Sequence, residues 1–314
     1  MEMRTAHVER DSLLDRGRAQ MRRHLPTSLD WDLPTMVALT CRILYAQGHD
    51  SGLAGQITAR NGDTDSYWTQ AMGLGFDEIT SSNLIRVNAD LEVLEGNGMA
   101  NPANRFHSWI YRTRPDVQCI IHTHAPNISA LSLLEQPLCI AHMDSCMLYE
   151  DVGFLAHWPG VPAGNEEGAL ISEALGSRRA VLLAHHGLVV AGRTVQEACV
   201  MAVQMERTAR LQIMALSAGT IQKIDPVHAR EAHDWILQPA RIDAGFAHLA
   251  RQILKQTRPG DPFFGIHNEG DKANALQEDW ALLFPQNLSD EAAEALSQFV
   301  TALSSLMESR YRRK

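Results

Sequence analysis

Two stretches of the chain place imidazoles at the ends of apolar runs. The first is "VQCIIHTHAP", with His122 and His124. The second is "AVLLAHHGLVV", with His185 and His186. In an extended strand, residues i and i+2 project to the same face, so His122 and His124 reach one point. A pair of this kind alone is more often packed or surface histidine than a ligand set. A second strand end offering imidazole, followed by a glycine that permits close backbone approach, tips the reading toward a metal. Three neutral imidazoles around a divalent ion leave positions open for substrate or water, which is the layout of a catalytic site.

The elements that must hold these residues can be read from periodicity. "LPTMVALTCRILYAQGH" has helical spacing and runs into the glycine-rich "DSGLAG". From Gln56 to Leu94 short strands follow, "QITAR", "SYWTQ", "LIRVN" and "LEVLE", with "NGD" and "NAD" as turn chemistry between them. "NRFHSWIYRTR" reads as a helix stopped by Pro115, "VQCIIH" as a buried strand, and "PNISALSLLEQ" as a helix. "EEGALISEALG" is another helix, with Glu166 and Glu167 in its first turn, where carboxylates suit the dipole. "AVLLAHHGLVVAG" is a strand pair broken at Gly187, and a long helix runs from Thr194 to Ala218. Several connections are too short for parallel crossovers. The expected fold class is therefore α/β, with a mixed, largely antiparallel sheet covered by helices on both faces. Residues 1–30 form an N-terminal segment with a helix from Arg10 to His24. Residues 31–219 form the metal-binding domain and residues 220–314 an appended helical extension.

Composition excludes several classes. The 314 residues carry a formal net charge of −9, with no basic stripe, so nucleic acid is not an expected partner. No apolar run approaches the roughly 20 residues of a membrane span, and the N-terminus lacks the layout of a signal peptide. Five cysteines without a CxxC read as buried thiols of a cytoplasmic protein.

"RPDVQCIIHTHAP" together with "AVLLAHHGLVVAGRTVQEA" resembles the class II aldolase/adducin family, from about Leu33 to Gly219. The resemblance implies a three-layer α/β/α sandwich and a homotetramer with active sites at subunit contacts. It also implies one divalent transition metal per chain (Zn, Mn, Co or Fe(II)), held by His122, His124 and His186. With all three present, a metal-free adducin-like module is the weaker expectation.

The chain departs from the family pattern at informative places. The family's acid/base glutamate falls on Ala103, and a methyl group moves no proton. Asn101 and Pro102 replace neighbouring serines, Gln56 stands in a phosphate-binding element, and "TQAMG" replaces another. A phosphate needs converging donors, so the expected substrate is a non-phosphorylated small molecule, a hydroxy, oxo or phenolic acid. Gln56, Asn104 and Arg105 are the candidate substrate-binding residues. Asp144 and Tyr149, in a segment that lines the pocket of relatives, and His107, on the helix after Ala103, are candidates for the missing proton transfer. His185 takes the place of the family's usual asparagine, and strand alternation turns it to the opposite face as an ordinary buried histidine. Trp109 and Tyr111 read as core.

The expected activity is that of a metal-dependent carbon–carbon lyase, of decarboxylase or aldolase type. The "NPA" element and the C-terminal extension also resemble the aminocoumarin-pathway non-haem iron oxygenases built on this fold. That suggests an alternative, an Fe(II) oxygenase cleaving the side chain of an aromatic hydroxy acid, since three imidazoles approximate the facial triad of such enzymes. A non-catalytic oligomeric module is the third expectation.

Overall fold

In the computed structural model, which describes residues 12–17, 19–21, 31–62, 65–158, 160, 161 and 164–263, strands and helices alternate irregularly. The strands are β1 (Gln56–Arg60), β2 (Ser66–Gln70), β3 (Leu84–Asn88), β4 (Val93–Glu95), β5 (Cys119–Thr123), β6 (Val152–Leu155), β7 (Ala180–Leu183) and β8 (Gly187–Gly192). They form one sheet in the order β4-β3-β2-β1-β5-β8-β7-β6. Every neighbouring pair is antiparallel except β6–β7, which is parallel. The fold is the mixed, largely antiparallel α/β/α architecture expected from the short turns.

Strand alternation divides the core between two helical layers. Ile57, Ala59, Cys119, Ile121, Leu188 and Val190 point to one face. There they meet α1 (Leu33–Ala46), α3 (Pro126–Ser132) and α5 (Val195–Ala218). Ile120, Val181, Val189 and Ala191 point to the other, against α2 (Arg105–Thr113) and α4 (Asn165–Leu175). His122 shares its parity with Ile120, and the Phe106 ring of α2 stands edge-on to it at 5.4 Å, so the first histidine belongs to the α2 face.

Caps fix the elements around the site. Thr194 caps α5 by accepting from the Glu197 amide at 3.0 Å, an arrangement worth about 1 kcal/mol. The buried Glu206 of α5 accepts from the amides of Asn127 and Ile128 at 2.9 and 2.8 Å. That carboxylate satisfies orphan N–H groups at the start of α3, directly after His124. The last two described helices, α6 (Pro226–Ile236) and α7 (Pro239–Leu254), add Ile236, Ile242, Phe246 and Ala250 to the α1/α5 core.

Some boundaries differ from expectation. The helix expected over "PNISALSLLEQ" stops at Ser132, and Glu135 takes a left-handed φ of 48°. The hairpin expected to break at Gly187 breaks earlier, over 184–186, and Gly187 opens β8. Residues 12–17 and 19–21 are helical, and the expected ends of that segment lie outside the described residues, as does the chain after 263.

Candidate metal centre

The end of β5 and the turn between β7 and β8 meet at one end of the central strands. His122 ends β5, opposite Gln56 at the start of β1. His124 follows one residue beyond β5, its amide donating to Ser51 Oγ at 2.8 Å. His186 sits in the tight turn between β7 and β8, where its amide reaches the Leu183 carbonyl at 3.2 Å. The ring centroids are 4.8 Å (His122–His124), 4.7 Å (His122–His186) and 4.6 Å (His124–His186) apart. One ligand nitrogen from each lies within 4.8 Å of the others.

Backbone constraints make this approach possible. A Cβ at Gly187 would collide with the Thr123 carbonyl oxygen and stand 3.1 Å from His124 Cδ2. Any larger residue would push β8 from β5 just where the ligands meet. His185 adopts φ 55°, the left-handed region. That conformation breaks strand alternation and swings its side chain outward, to Glu135 Oε1 at 2.9 Å. The expectation of a buried histidine on the opposite face is thus corrected, because a turn residue at positive φ does not follow the period-two rule.

Electrostatics match a metal better than a proton. His122 Nδ1 donates to the Leu188 carbonyl at 2.8 Å, which leaves the lone pair of Nε2 facing His124 Nε2 at 3.0 Å. Fixing the tautomer through the far nitrogen is how proteins orient metal-bound imidazole. Burial, and then the neighbouring imidazoles His186 and His124, hold His122 well below the usual histidine range. Burial lowers His124, and burial followed by His124 brings His186 down to about 4. The three rings are therefore neutral ligands at physiological pH. Together the three nitrogens form a group that could hold a single metal ion.

The histidines open into a cleft of about 320 Å³. Ala54, Gln56, Asn101 and Ala103 line one side, and Trp158, Val161 and His185 another. No carboxylate is among the lining residues described, and Ala103 stands where the resemblance puts an acid.

The other candidates from the sequence are distributed more widely. Gln56 lines the cleft, its amide nitrogen bonded to the Ala54 carbonyl. Asn104 is buried beneath it and donates to Thr69 Oγ1 at 3.0 Å. His107 is buried against Thr58 Oγ1 at 2.8 Å, and burial lowers it to about 3. Arg105 turns away to an exposed ion pair with Asp90 at 3.3 Å. Asp144 is exposed at the 3₁₀ turn Met143–Leu148, where its amide donates to His142 Nδ1. Tyr149 packs on the α1/α5 core beneath the Arg230 guanidinium. Within one chain neither Asp144 nor Tyr149 lines the cleft, because both belong to the layer on the opposite side of the sheet. Tyr111 is buried, and Trp109 covers Gly168. Sequence reasoning missed Trp158 and Val161, which lie in an irregular segment whose only signal is the Trp-Pro-Gly turn chemistry of "HWPG".

Comparison with known proteins adds four findings. The family profile described as the Class II Aldolase and Adducin N-terminal domain matches residues 35–213. "Decarboxylase NovR" of Streptomyces niveus is 34% identical over 197 residues, covering 62% of this chain and 73% of that protein. "4-hydroxy-3-prenylphenylpyruvate oxygenase/4-hydroxy-3-prenylbenzoate synthase" of Streptomyces roseochromogenus subsp. oscitans is 33% identical over 197 residues, covering 62% and 71%. Among solved structures, "L-fuculose 1-phosphate aldolase from Glaciozyma antarctica PI12" superposes with a TM-score of 0.66 at 29% identity, covering 71% of this chain and 88% of that one.

Proposed function

Because the chain belongs to the class II aldolase and adducin family, we propose that it is a divalent-metal-dependent carbon–carbon lyase of the decarboxylase type, acting on a non-phosphorylated hydroxy, oxo or phenolic acid. The observation that carries this reading is a cleft with three convergent neutral imidazoles and a methyl group, Ala103, in place of an acid.

His122, His124 and His186 would hold the ion, which when bound polarises a carbonyl or carboxylate oxygen of the substrate and draws the electrons of the breaking bond. Aldol cleavage requires a base to take the proton of the substrate's hydroxyl, and no carboxylate is among the described residues that line the cleft. Loss of CO₂ needs no prior proton removal, so it is the carbon–carbon cleavage this lining permits. His107, buried and brought down to about 3, is neutral at working pH and cannot store the proton that the product must regain. That proton comes from water. The apolar faces of Trp158 and Val161 limit how much water reaches the bond.

The resemblance to the decarboxylase from S. niveus supports this reading. One observation favours a second, Fe(II) oxygenase, reading: a relative of nearly equal identity carries an oxygenase name, and an all-imidazole facial set leaves room for a chelating acid and O₂. The working form is a homotetramer in the cytoplasm. The exposed Trp158 and Val161 at the cleft mouth support the assembly, and five unpaired cysteines support the compartment.

The test is metal analysis of protein prepared without oxygen, with CO₂ release and O₂ uptake followed on aromatic hydroxy and oxo acids. Zinc, manganese or cobalt near one per chain, with CO₂ release and no O₂ uptake, is the expected result. Iron with substrate-dependent O₂ uptake would replace the lyase by the oxygenase. Full turnover by His124→Ala would remove the site assignment from both.

A further inference from the structure

Behind the cleft, on the same sheet face as His122, three buried side chains each present an acceptor atom that no group in the described protein satisfies. They are Gln56 Oε1, Asn104 Oδ1 and His107 Nε2, on residues that are 3%, 0% and 1% exposed.

The hydrogen-bond pattern fixes their polarity. Tyr111 donates its only hydroxyl hydrogen to the Thr58 carbonyl at 3.0 Å. It can then only accept from Thr58 Oγ1, also 3.0 Å away. With its hydrogen committed there, Thr58 Oγ1 accepts from His107 Nδ1 at 2.8 Å. The proton of the neutral ring thus resides on Nδ1, and Nε2 is a bare lone pair. Thr69 Oγ1 likewise donates to the Ile57 carbonyl at 2.7 Å, so it takes the Asn104 amide nitrogen as donor and leaves Oδ1 pointing elsewhere. The Gln56 amide nitrogen is tied to the Ala54 carbonyl, which leaves Oε1 free. Thr58 and Thr69 are register partners on β1 and β2, so His107 and Asn104 sit side by side above them. Gln56 stands two residues along β1, opposite His122.

Three buried acceptors on adjacent parts of the fold, each lacking a donor, are an unusual grouping. Leaving each unsatisfied forfeits the hydrogen bond it would make in water, and an anion would add repulsion. We infer that Gln56, Asn104 and His107 form a buried subsite beside the metal centre that takes an uncharged O–H group, from an ordered water or from a hydroxyl of the substrate. Only the second source rests on the proposed lyase reading. The first stands on the buried geometry alone. The role assigned to His107 is that of a fixed acceptor which positions the donor, with no proton transfer of its own.

The test is a high-resolution crystal structure of the zinc-loaded full chain, alone and with 4-hydroxybenzoate. The expected result is an oxygen within about 2.7–3.2 Å of at least two of the three acceptors. Retention of that oxygen beside the probe assigns it to water, and replacement by the probe's hydroxyl assigns it to the substrate. Absence of an ordered oxygen, or an anion in its place, overturns the inference. Calorimetry with 4-hydroxybenzoate, benzoate and terephthalate gives an independent check. A substrate hydroxyl in the subsite makes the first probe about tenfold tighter than benzoate, and Gln56→Met reduces that margin. Terephthalate binding as tightly as 4-hydroxybenzoate would count against an acceptor-only site, whereas equal affinities for 4-hydroxybenzoate and benzoate assign the oxygen to water. An occupied subsite in a chain that releases no CO₂ would sink the reaction and leave the subsite standing. CO₂ release from a chain with no such oxygen would do the reverse.

Discussion

The imidazoles of His122, His124 and His186 and the imidazole of His233 are set under opposite electrostatics. In the first group the nitrogens face one another, the lining holds no carboxylate, and the lone pair of His122 Nε2 is turned inward by a main-chain acceptor on the far side of the ring. His233, on α6, meets Asp151 Oδ2 at 3.0 Å through Nε2 and Asp234 Oδ1 at 2.8 Å through Nδ1. Asp151 also accepts from Arg179, whose Nε donates to Glu197 Oε1 at 3.0 Å. In that second group opposite charges already face each other, and both nitrogens are engaged. It ties α6 to the sheet edge and to α5 and has no use for an ion. The first group lacks a facing charge of either sign and could hold a metal ion. A histidine's neighbours, more than its presence, decide which of these it becomes.

The comparison can be broken most directly at His124. Replacing it with alanine should weaken metal binding by more than about 100-fold, beyond the loss typical of outer-shell partners, and abolish turnover, while the thermal midpoint of the metal-free protein barely moves. Metal analysis and melting curves read both. Asp151→Ala should do the opposite. Removing one member of a largely buried charge network costs about 3 kcal/mol of stability, with metal content per folded chain unchanged. If it stripped the metal instead, the two clusters could not be treated as independent.

A pH series sharpens the contrast. His186, near 4, and His49 and His107, near 3, are depressed below the ordinary histidine value by burial. In the unfolded chain these rings take up protons below about 6.5, and in the fold they resist until about 4 or lower. The unfolded state then binds more protons, so metal-free stability is fully present above about 6.5 and falls as pH drops toward 4. Denaturant midpoints between those limits should decline steadily; a flat profile would mean that the rings are hydrated in solution. The smallest effect belongs to His185. Its ion pair with Glu135 is largely exposed, so His185→Gly should change stability by no more than about 1 kcal/mol, since glycine also relieves the positive φ.

What the sequence disclosed follows the same physics. The convergence of His122 and His124 was legible because strand alternation is a local, rigid rule, and the two-faced core followed from the same rule. His186 could be separated from His185 only through resemblance, because the φ of 55° that turns one outward and leaves the other inward is invisible in a string of residue types. Asp144 and Tyr149 are not among the described residues that line the cleft within one chain, and their short irregular segment carries no periodicity to say which layer it joins. Trp158 escaped notice for the same reason. The acceptor character of Asn104 and His107 depends on which way two threonine hydroxyls point, and only the folded network decides that.

The bond from His122 Nδ1 to the carbonyl of Leu188 has a consequence for how this site can drift. The acceptor is a main-chain atom, so it remains whatever side chain a mutation installs at position 188. An outer-sphere partner supplied by a side chain, such as a glutamate or an asparagine, can be lost to a single codon change. Here the choice of metal-facing nitrogen is inherited with the backbone path of β8. Substitutions can retune the cleft for new acids while the first ligand keeps its orientation.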